Sequence, residues 1–181
     1  MNQNITISLL EELQPEILQQ LSKLLIDVVE DGASIGFLPP LTIEDASAYW
    51  RGVHGPGVLL WAAFERGTIV GTVQLHSVSK PNGAHRAEIA KLMVHPQHRR
   101  KGIAGMLMDT AEQAAAANGR TLLVLDTREG DPSNLLYQSR GFVKAGIIPE
   151  YAISHNGSKT GTVFYYKHQK KPSPAVNVTG K

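Results

Sequence analysis

The chain of 181 residues contains no cysteine. That absence excludes disulfides, thiolate metal ligands and a cysteine nucleophile, and it fits the reducing cytoplasm, where we expect the protein to be. Aromatic residues are scarce, at 6%, and no apolar run approaches the roughly 20 residues that span a membrane. The N-terminal segment lacks the basic start and long apolar stretch of a secretory signal. We therefore expect a globular protein without a membrane segment.

Excess charge is also lacking, apart from the C-terminal tail. Residues 168–181 hold three of the 18 Lys and Arg residues and none of the 16 Asp and Glu residues, so residues 1–167 carry a net charge of −1. A nearly neutral body predicts no general affinity for nucleic acid. The tail has two prolines and little that could pack, which predicts disorder. Residues 1–167 then form a single domain of ordinary size.

Apolar periodicity, caps and turn residues predict eleven elements in the order β-α-α-β-β-β-α-β-α-β-β. The predicted strand, helix and strand between residues 86 and 127 form a crossover unit. The strands at 86–94 and 121–127 should therefore be parallel. The near-continuous apolar run of the second of these strands predicts burial on both faces. The fold class is therefore α/β, with a mixed, mostly antiparallel sheet and helices on both faces. The strands are predicted at 4–9, 58–64, 68–76, 86–94, 121–127, 142–148 and 161–167, and the helices at 15–31, 42–51, 102–118 and 132–140.

The most informative segment runs from Lys91 to Gly105, KLMVHPQHRRKGIAG. A strand enters a bend at His95-Pro96, basic residues and Gly102 follow, and a helix begins. The first turn of a helix leaves N–H groups unpaired and carries partial positive charge, and glycine permits close approach of a ligand. These features predict a pyrophosphate site. A P-loop and a Gly-x-Gly-x-x-Gly motif are missing, which disfavours a nucleoside triphosphate or a nicotinamide cofactor.

These residues resemble a known family. Arg99-Arg100-Lys101-Gly102-Ile103-Ala104 is similar to the Gln/Arg-x-x-Gly-x-Gly/Ala motif of the GNAT N-acetyltransferase superfamily. The preceding strand RAEIAKLMV and the later Tyr137-x-x-x-Gly141-Phe142 stand at the distances that the family uses. The resemblance covers Ile5 to Lys167.

The resemblance implies that the parallel strands splay apart and that acetyl-CoA binds between them as acyl donor. Backbone groups of Leu92, Met93 and Val94 would pair with the pantetheine arm. Amides from the motif helix would hold the pyrophosphate, with the basic side chains adding charge. The residues implied for that part of the site are Arg99, Arg100, Lys101, Gly102, Ile103, Ala104 and Gly105.

The resemblance also assigns the chemistry of direct acetyl transfer in a ternary complex. Tyr137 is placed as the general acid for the CoA thiolate, with a core tyrosine as the alternative. Asn134, one helical turn earlier, would contact the cofactor or serve as a polar helix-start residue. Glu88 and Asp126 are both candidates for the base that deprotonates the amine; Asp126 could instead hold the substrate ammonium, and either acid could pair with Arg86 or Arg128.

A closer likeness is to the tabtoxin resistance type of GNAT enzyme, which acetylates a β-lactam amino-acid toxin. It rests on GASIGF at 32–37, KPNG at 80–83 and shorter matches near Glu88, Leu92 and Asp126. It implies a small-molecule amine as substrate, a role in antibiotic resistance, and a substrate wall from 31–37, 80–85 and 148–151. Ser34, Phe37 and Asn82 are its candidate contacts, together with Glu88 and Asp126. A polyamine, an aminoglycoside or a protein amine remain alternative acceptors, and a non-catalytic CoA-binding regulatory module is the alternative from another class.

His95 and His98 form a His-x-x-His pair, but no Glu-His partner pattern accompanies them. We interpret them as solvent-exposed turn residues and predict no metal site. The family is often dimeric, and the sequence leaves monomer and homodimer open.

Overall fold

The computed structural model describes residues 5–170, which form seven strands and four helices. The strands are β1 (Ile5–Leu9), β2 (Val58–Glu65), β3 (Thr68–Ser77), β4 (Arg86–Val94), β5 (Leu122–Arg128), β6 (Val143–Ile153) and β7 (Lys159–His168). The helices are α1 (Pro15–Glu30), α2 (Ile43–Arg51), α3 (Ile103–Ala117) and α4 (Ser133–Ser139). The predicted order of elements is confirmed.

All seven strands belong to one sheet in the order β1-β2-β3-β4-β5-β7-β6. The pair β4–β5 is parallel, and the other pairs within the described residues are antiparallel. The parallel pair follows from the crossover through α3, since only a long connection can return the chain in the same direction. The mixed, mostly antiparallel sheet is therefore confirmed.

The parallel strands β4 and β5 separate along their length. They pair at Arg86↔Leu122, Ala87↔Leu123 and Glu88↔Val124, and no pair follows towards their carboxyl ends. On its other side β4 stays paired with β3 up to Val94, with a register shift near Lys91, whose φ is +50°. The bulge bends β4 away from β5, because the extra residue locally increases the twist of a strand. The carboxyl halves of β4 and β5 thus flank a gap in the sheet.

Helices cover both faces of the sheet, as predicted. Helices α1 and α2 pack on one face through Leu21, Leu25 and Trp50, all fully buried. Helix α3 packs on the other face through Leu107 and Ala111, against a core that includes residues of β3, β4 and β5. The helical spacing of these apolar residues is what orients one stripe of each helix towards the sheet.

Two expectations about strands were wrong. Strand β5 is buried on one face only: Leu123 and Leu125 are buried, whereas Asp126, which points to the opposite face, is exposed. Strand β6 runs to Ile153 rather than ending at residue 148, with its pairing to β7 interrupted by irregularities. A segment containing Pro149 and a positive φ at Glu150 is typical of a loop, and only pairing with β7 keeps it in the sheet.

The predicted boundary between domain and tail is also shifted. His168 belongs to β7, and Gln169 donates its backbone N–H to Thr121 and its side-chain amide to the carbonyl of Arg120. The predicted disorder of residues 168–181 is therefore wrong for the first two. From residue 171 onwards the prediction lies outside the described residues.

Gly71 of β3 lies where the bulged part of β4 comes closest. A Cβ at this position would lie 2.8 Å from the carbonyl oxygen of Met93 and 3.2 Å from a methyl group of Leu107. We expect Gly71→Ala to lower the free energy of unfolding by about 1 to 3 kcal/mol, because backbone and core must shift to admit the methyl group. Chemical denaturation measures the effect, and Gly55→Ala is the control, since a Cβ there meets nothing within 4 Å. Equal stability of both variants would contradict this account.

Candidate active site

An open cleft of about 970 Å³ occupies the gap between β4 and β5. One wall is the edge of β4 that is no longer paired with β5, and it includes Leu92, Met93 and Val94. In this segment β4 pairs only with β3, so the opposite side of its backbone faces the cleft. An unpaired strand edge is suited to an extended ligand with amide groups, which can complete the ladder.

The start of α3 forms the end of this cleft. Gly102, with φ +79°, precedes the helix, and the first helical bond is donated by Met106 to the carbonyl of Gly102. The amides of Ile103, Ala104 and Gly105 have no hydrogen-bond acceptor among residues 5–170, and all three residues line the cleft. A cluster of free N–H groups at the positive end of a helix dipole binds phosphate oxygens.

The three basic residues before α3 differ in their surroundings. Arg99 donates to the Asp31 carboxylate at 2.6 Å and to the Val94 carbonyl at 3.3 Å. Lys101 lies 3.6 Å from Glu65 and is not part of the cleft wall. Arg100 is exposed, lines the cleft and forms no ion pair within the described part of the chain. Of these three residues, therefore, only Arg100 has a charge that is free to act on a ligand in the cleft.

His95 and His98 are not the exposed turn residues that the sequence suggested. His95 Nε2 lies 3.2 Å from Asp27, and His98 Nδ1 lies 2.6 Å from Glu65. Both rings thus connect the turn before α3 to carboxylates of α1 and β2, which hold the turn in place. In the segment 5–170, no group of three or more His, Asp or Glu side chains is arranged to hold a metal ion.

Tyr137 lies in α4 with its ring between those of Phe142 and Tyr165, each 6.0 Å away between centroids. Gly141 (φ +80°) ends the helix, and Phe142 donates its N–H to the Tyr137 carbonyl, which explains the spacing of the sequence motif. The residue is 6% exposed and lines the cleft. Its hydroxyl has no hydrogen-bond partner among the described residues. Burial raises the pKa of Tyr137, and the charges of Asp126 and Asp131 add to this, so the phenol is protonated at neutral pH.

Two carboxylates and one lysine share the cleft with Tyr137. Glu88 and Asp126 face it from β4 and β5, and Lys91 faces it from the bulge. Partial burial raises the pKa of Asp126, an effect that the Lys91 charge opposes. His76 is paired directly across β3–β4 from Glu88, and burial lowers its pKa. The cleft therefore combines a protonated phenol with groups that can accept a proton.

The structure separates other predicted residues from this cleft. Asn134 donates both amide hydrogens to the carbonyls of Arg128 and Asp131 and accepts a bond from Tyr165, an arrangement that suits its helix-start alternative. Asn82 lies in a 3-10 turn before β4, outside the cleft wall.

Of the two candidate contacts after α1, Ser34 lies in the cleft wall. Phe37 lies behind the wall, with its ring 5.0 Å from that of Tyr49 and 5.9 Å from Lys91 Nζ. Residues 148–151, predicted as a loop of the substrate wall, belong to β6, and Tyr151 lines the cleft.

Sequence reasoning missed Lys91 as a member of this site and His76 as the cross-strand partner of Glu88. Lys91 stands in a strand next to Leu92, and period-two alternation would place it on the face opposite Ala90. The bulge at Lys91 interrupts that alternation. The sequence has no glycine at this position that would have predicted a bulge. The signal for His76 was its position opposite Glu88, which requires the strand register.

Comparison with known proteins agrees with this geometry. The sequence model of the acetyltransferase (GNAT) family matches residues 15–142. An uncharacterized N-acetyltransferase from the hisH-hisA intergenic region of Azospirillum brasilense is 31% identical over 129 residues, which cover 70% of this chain and 77% of that protein. N-acetyltransferase family 8 member 2 of Rattus norvegicus is 34% identical over 106 residues, 58% of this chain, and the match spans only 46% of the rat protein.

Solved structures share the fold. An N-acetyltransferase from Staphylococcus aureus Mu50 has a TM-score of 0.79 at 21% identity, covering 92% of this chain and 99% of that one. The structure of yncA from Salmonella typhimurium with its cofactor acetyl-CoA has a TM-score of 0.75 at 17% identity, covering 93% and 96%.

Fold and sequence together define the protein as an acyltransferase. The chain belongs to the acetyltransferase (GNAT) family, since the family match covers more than half of it. Acetyl-CoA is the donor that this membership supports. None of the helices within residues 5–170 is long and apolar enough to cross a membrane.

Proposed function

We propose that the protein transfers the acetyl group of acetyl-CoA directly to the amine of a small molecule. The observation that carries the proposal is the splay of β4 from β5, which ends at the unpaired amides of α3 and at the Tyr137 hydroxyl. One cleft thus offers a free strand edge, an anion site and a proton donor in sequence, as the extended CoA molecule with its pyrophosphate requires.

The chemistry of the residues that line the cleft suits the parts of acetyl-CoA. The β4 edge at Leu92–Val94 would bind the pantetheine amides, and the amides of residues 103–105 would bind the pyrophosphate with Arg100 beside them. Acetyl-CoA supplies a thioester whose acetyl carbon is open to attack by an amine. Tyr137 donates its proton to the departing sulfur; its raised pKa keeps that proton in place until thiolate charge develops.

The acceptor amine must lose a proton before or during attack. We assign this step to Asp126, because it lines the same cleft as Tyr137 and partial burial raises its pKa towards the working range of a base. Glu88 faces the cleft from the paired part of β4 and holds the acceptor ammonium. The ammonium loses one proton to Asp126, and the neutral amine forms the N–C bond as the C–S bond breaks. The thiolate receives the proton of Tyr137, and the second proton released by the nitrogen restores the phenol.

The proposed substrate class rests on the sequence resemblance to the tabtoxin resistance enzymes. In line with it, we propose an amino-acid-like acceptor, such as a β-lactam amino acid, and a role in resistance to it. Residues 32–36 and Tyr151 line the same cleft as the two carboxylates and would form the wall around a small acceptor. We propose that the enzyme acts in the cytoplasm, as a monomer or homodimer, without nucleic acid or metal.

Calorimetric titration with acetyl-CoA, followed by a thiol-release screen, tests the proposal. We expect micromolar binding and release of CoA with one amine class among amino acids, β-lactam amino acids, polyamines and aminoglycosides. Binding without release from any amine would favour a regulatory CoA-binding module. No binding would contradict the proposal as a whole.

A pair of matched variants locates the binding within the cleft. Arg100→Ala is expected to weaken acetyl-CoA binding about twofold to fivefold, because its exposed charge is free to act on phosphate. Lys101→Ala should change the affinity less than about twofold, because Lys101 lies near Glu65 and outside the cleft wall. A larger loss in Lys101→Ala than in Arg100→Ala would place the pyrophosphate elsewhere.

A further inference from the structure

Lys91 is a cation of the cleft that the proposed reaction does not use. It is half-buried at the bulge of β4, and its ammonium forms no hydrogen bond or ion pair with any residue in the range 5–170. A partly desolvated charge without a partner is unfavourable. The site is therefore suited to an anion that arrives with a ligand.

The surroundings of Lys91 fix where that anion would bind. Its Nζ lies 5.9 Å from the ring centroids of both Phe37 and Tyr49, and the backbone of Gly36 comes so close that a Cβ there would lie 3.6 Å from it. The rings attract the ammonium and exclude water on that side. The ammonium hydrogens that do not face the rings can donate to a ligand in the cleft. Partial removal of water from the ammonium lowers the pKa of Lys91.

The same cleft carries the opposite charge on a separate element. Asp126 stands on β5, across the gap, and Glu88 stands three residues before Lys91 on β4. Both carboxylates act on the Lys91 charge, Asp126 more than Glu88, yet neither is close enough to pair with it. An acceptor with an ammonium and a carboxylate on one carbon would present each of its charges to a group of opposite charge in this cleft.

On the basis of the proposed function, we infer that Lys91 binds the carboxylate of the acceptor and selects amino acids over amines that lack an acid group. Glu88 then holds the amine beside Asp126, and Lys91 sets the orientation of the substrate. If Lys91 merely balanced the charge of the two carboxylates, its loss would affect all acceptors equally.

The test is a thiol-release assay with paired acceptors: L-lysine and L-lysinamide, L-threonine and L-threoninamide, with spermidine as an amine without an acid. We expect the wild type to favour the acid of a pair in kcat/KM by about tenfold to a hundredfold, the value of one charge-assisted hydrogen bond. Lys91→Met should abolish that preference by raising KM for the acid, with the amide changed less than about threefold. Lys91→Arg, which keeps the cation, should retain part of the preference.

Two controls separate this inference from the proposed function. Lys144→Met removes an exposed lysine of β6 outside the cleft wall and should keep the wild-type preference. Acetyl-CoA affinity and thermal unfolding confirm that the Lys91 variants are folded. Thiol release without preference for the acid, or equal losses for acid and amide in Lys91→Met, overturns the role of Lys91 and leaves the acetyltransferase proposal intact.

Absence of release with every acceptor would count against the proposed function instead. Calorimetric titration of L-lysine and L-lysinamide into the CoA-loaded protein then decides the role of Lys91 by itself. The inference is supported if the wild type binds L-lysine more tightly than L-lysinamide and Lys91→Met loses this difference. Equal binding of the two ligands by the wild type, or no binding, overturns it.

Discussion

Tyr137→Phe is expected to lower kcat about a hundredfold or more while leaving acetyl-CoA affinity within about twofold of wild type. The reason is that the hydroxyl has no structural bond to lose among the described residues, whereas the ring keeps its packing against Phe142 and Tyr165. Only the proton for the departing thiolate is removed. Single-turnover thiol release and calorimetric titration with acetyl-CoA measure the two quantities separately.

Tyr166→Phe is the matched control for this variant. Tyr166 is a half-buried tyrosine of β7 outside the cleft wall, and it should lose less than about twofold in kcat when its hydroxyl is removed. Wild-type turnover in Tyr137→Phe would show that Tyr137 is a core tyrosine without a role as acid. A large loss of acetyl-CoA affinity would instead make it a binding residue.

The second large effect is expected from Asp126. If Asp126 is the base, kcat/KM in the wild type rises with pH as Asp126 loses its proton. An ordinary aspartate has a pKa of about 4, and burial raises the pKa of Asp126, so the rise is expected at a higher pH than that. Asp126→Asn should remove that limb and lower the plateau about a hundredfold or more. The measurement is the pH profile of kcat/KM with a single acceptor.

Glu88→Gln distinguishes the two carboxylates. Glu88 is proposed to hold the ammonium, so its loss should raise the KM of the acceptor and keep the low-pH limb of the profile. A profile that loses its limb in Glu88→Gln and keeps it in Asp126→Asn would reverse the assignment. Because Asp126 also raises the pKa of Tyr137, any change of the high-pH limb in Asp126→Asn reports on their coupling.

Much of the fold could be predicted because its signals are local. Pro15 at the start of α1, the Thr42 side chain that accepts the Asp45 amide at α2, and the positive φ of Gly102 before α3 all act within a few residues of themselves. The parallel pairing of β4 and β5 follows from the length of the crossover through α3. For the same reason the candidate anion site at residues 99–105 and the Tyr137 motif could be predicted, since each lies on one continuous segment.

The sequence by itself determined the order of elements and the family, and it predicted the segment proposed to bind the donor, since these depend on neighbours along the chain. Only the tertiary structure decided which charges remain free. Arg99 and Lys101 lie beside Asp31 and Glu65, while Arg100 and Lys91 face the cleft. Their partners are distant in sequence and are brought together by sheet register, a bulge and helix packing. Ion pairs and burial depend on such distances, and so the distinction between a bound and an available charge arises only once the chain is folded.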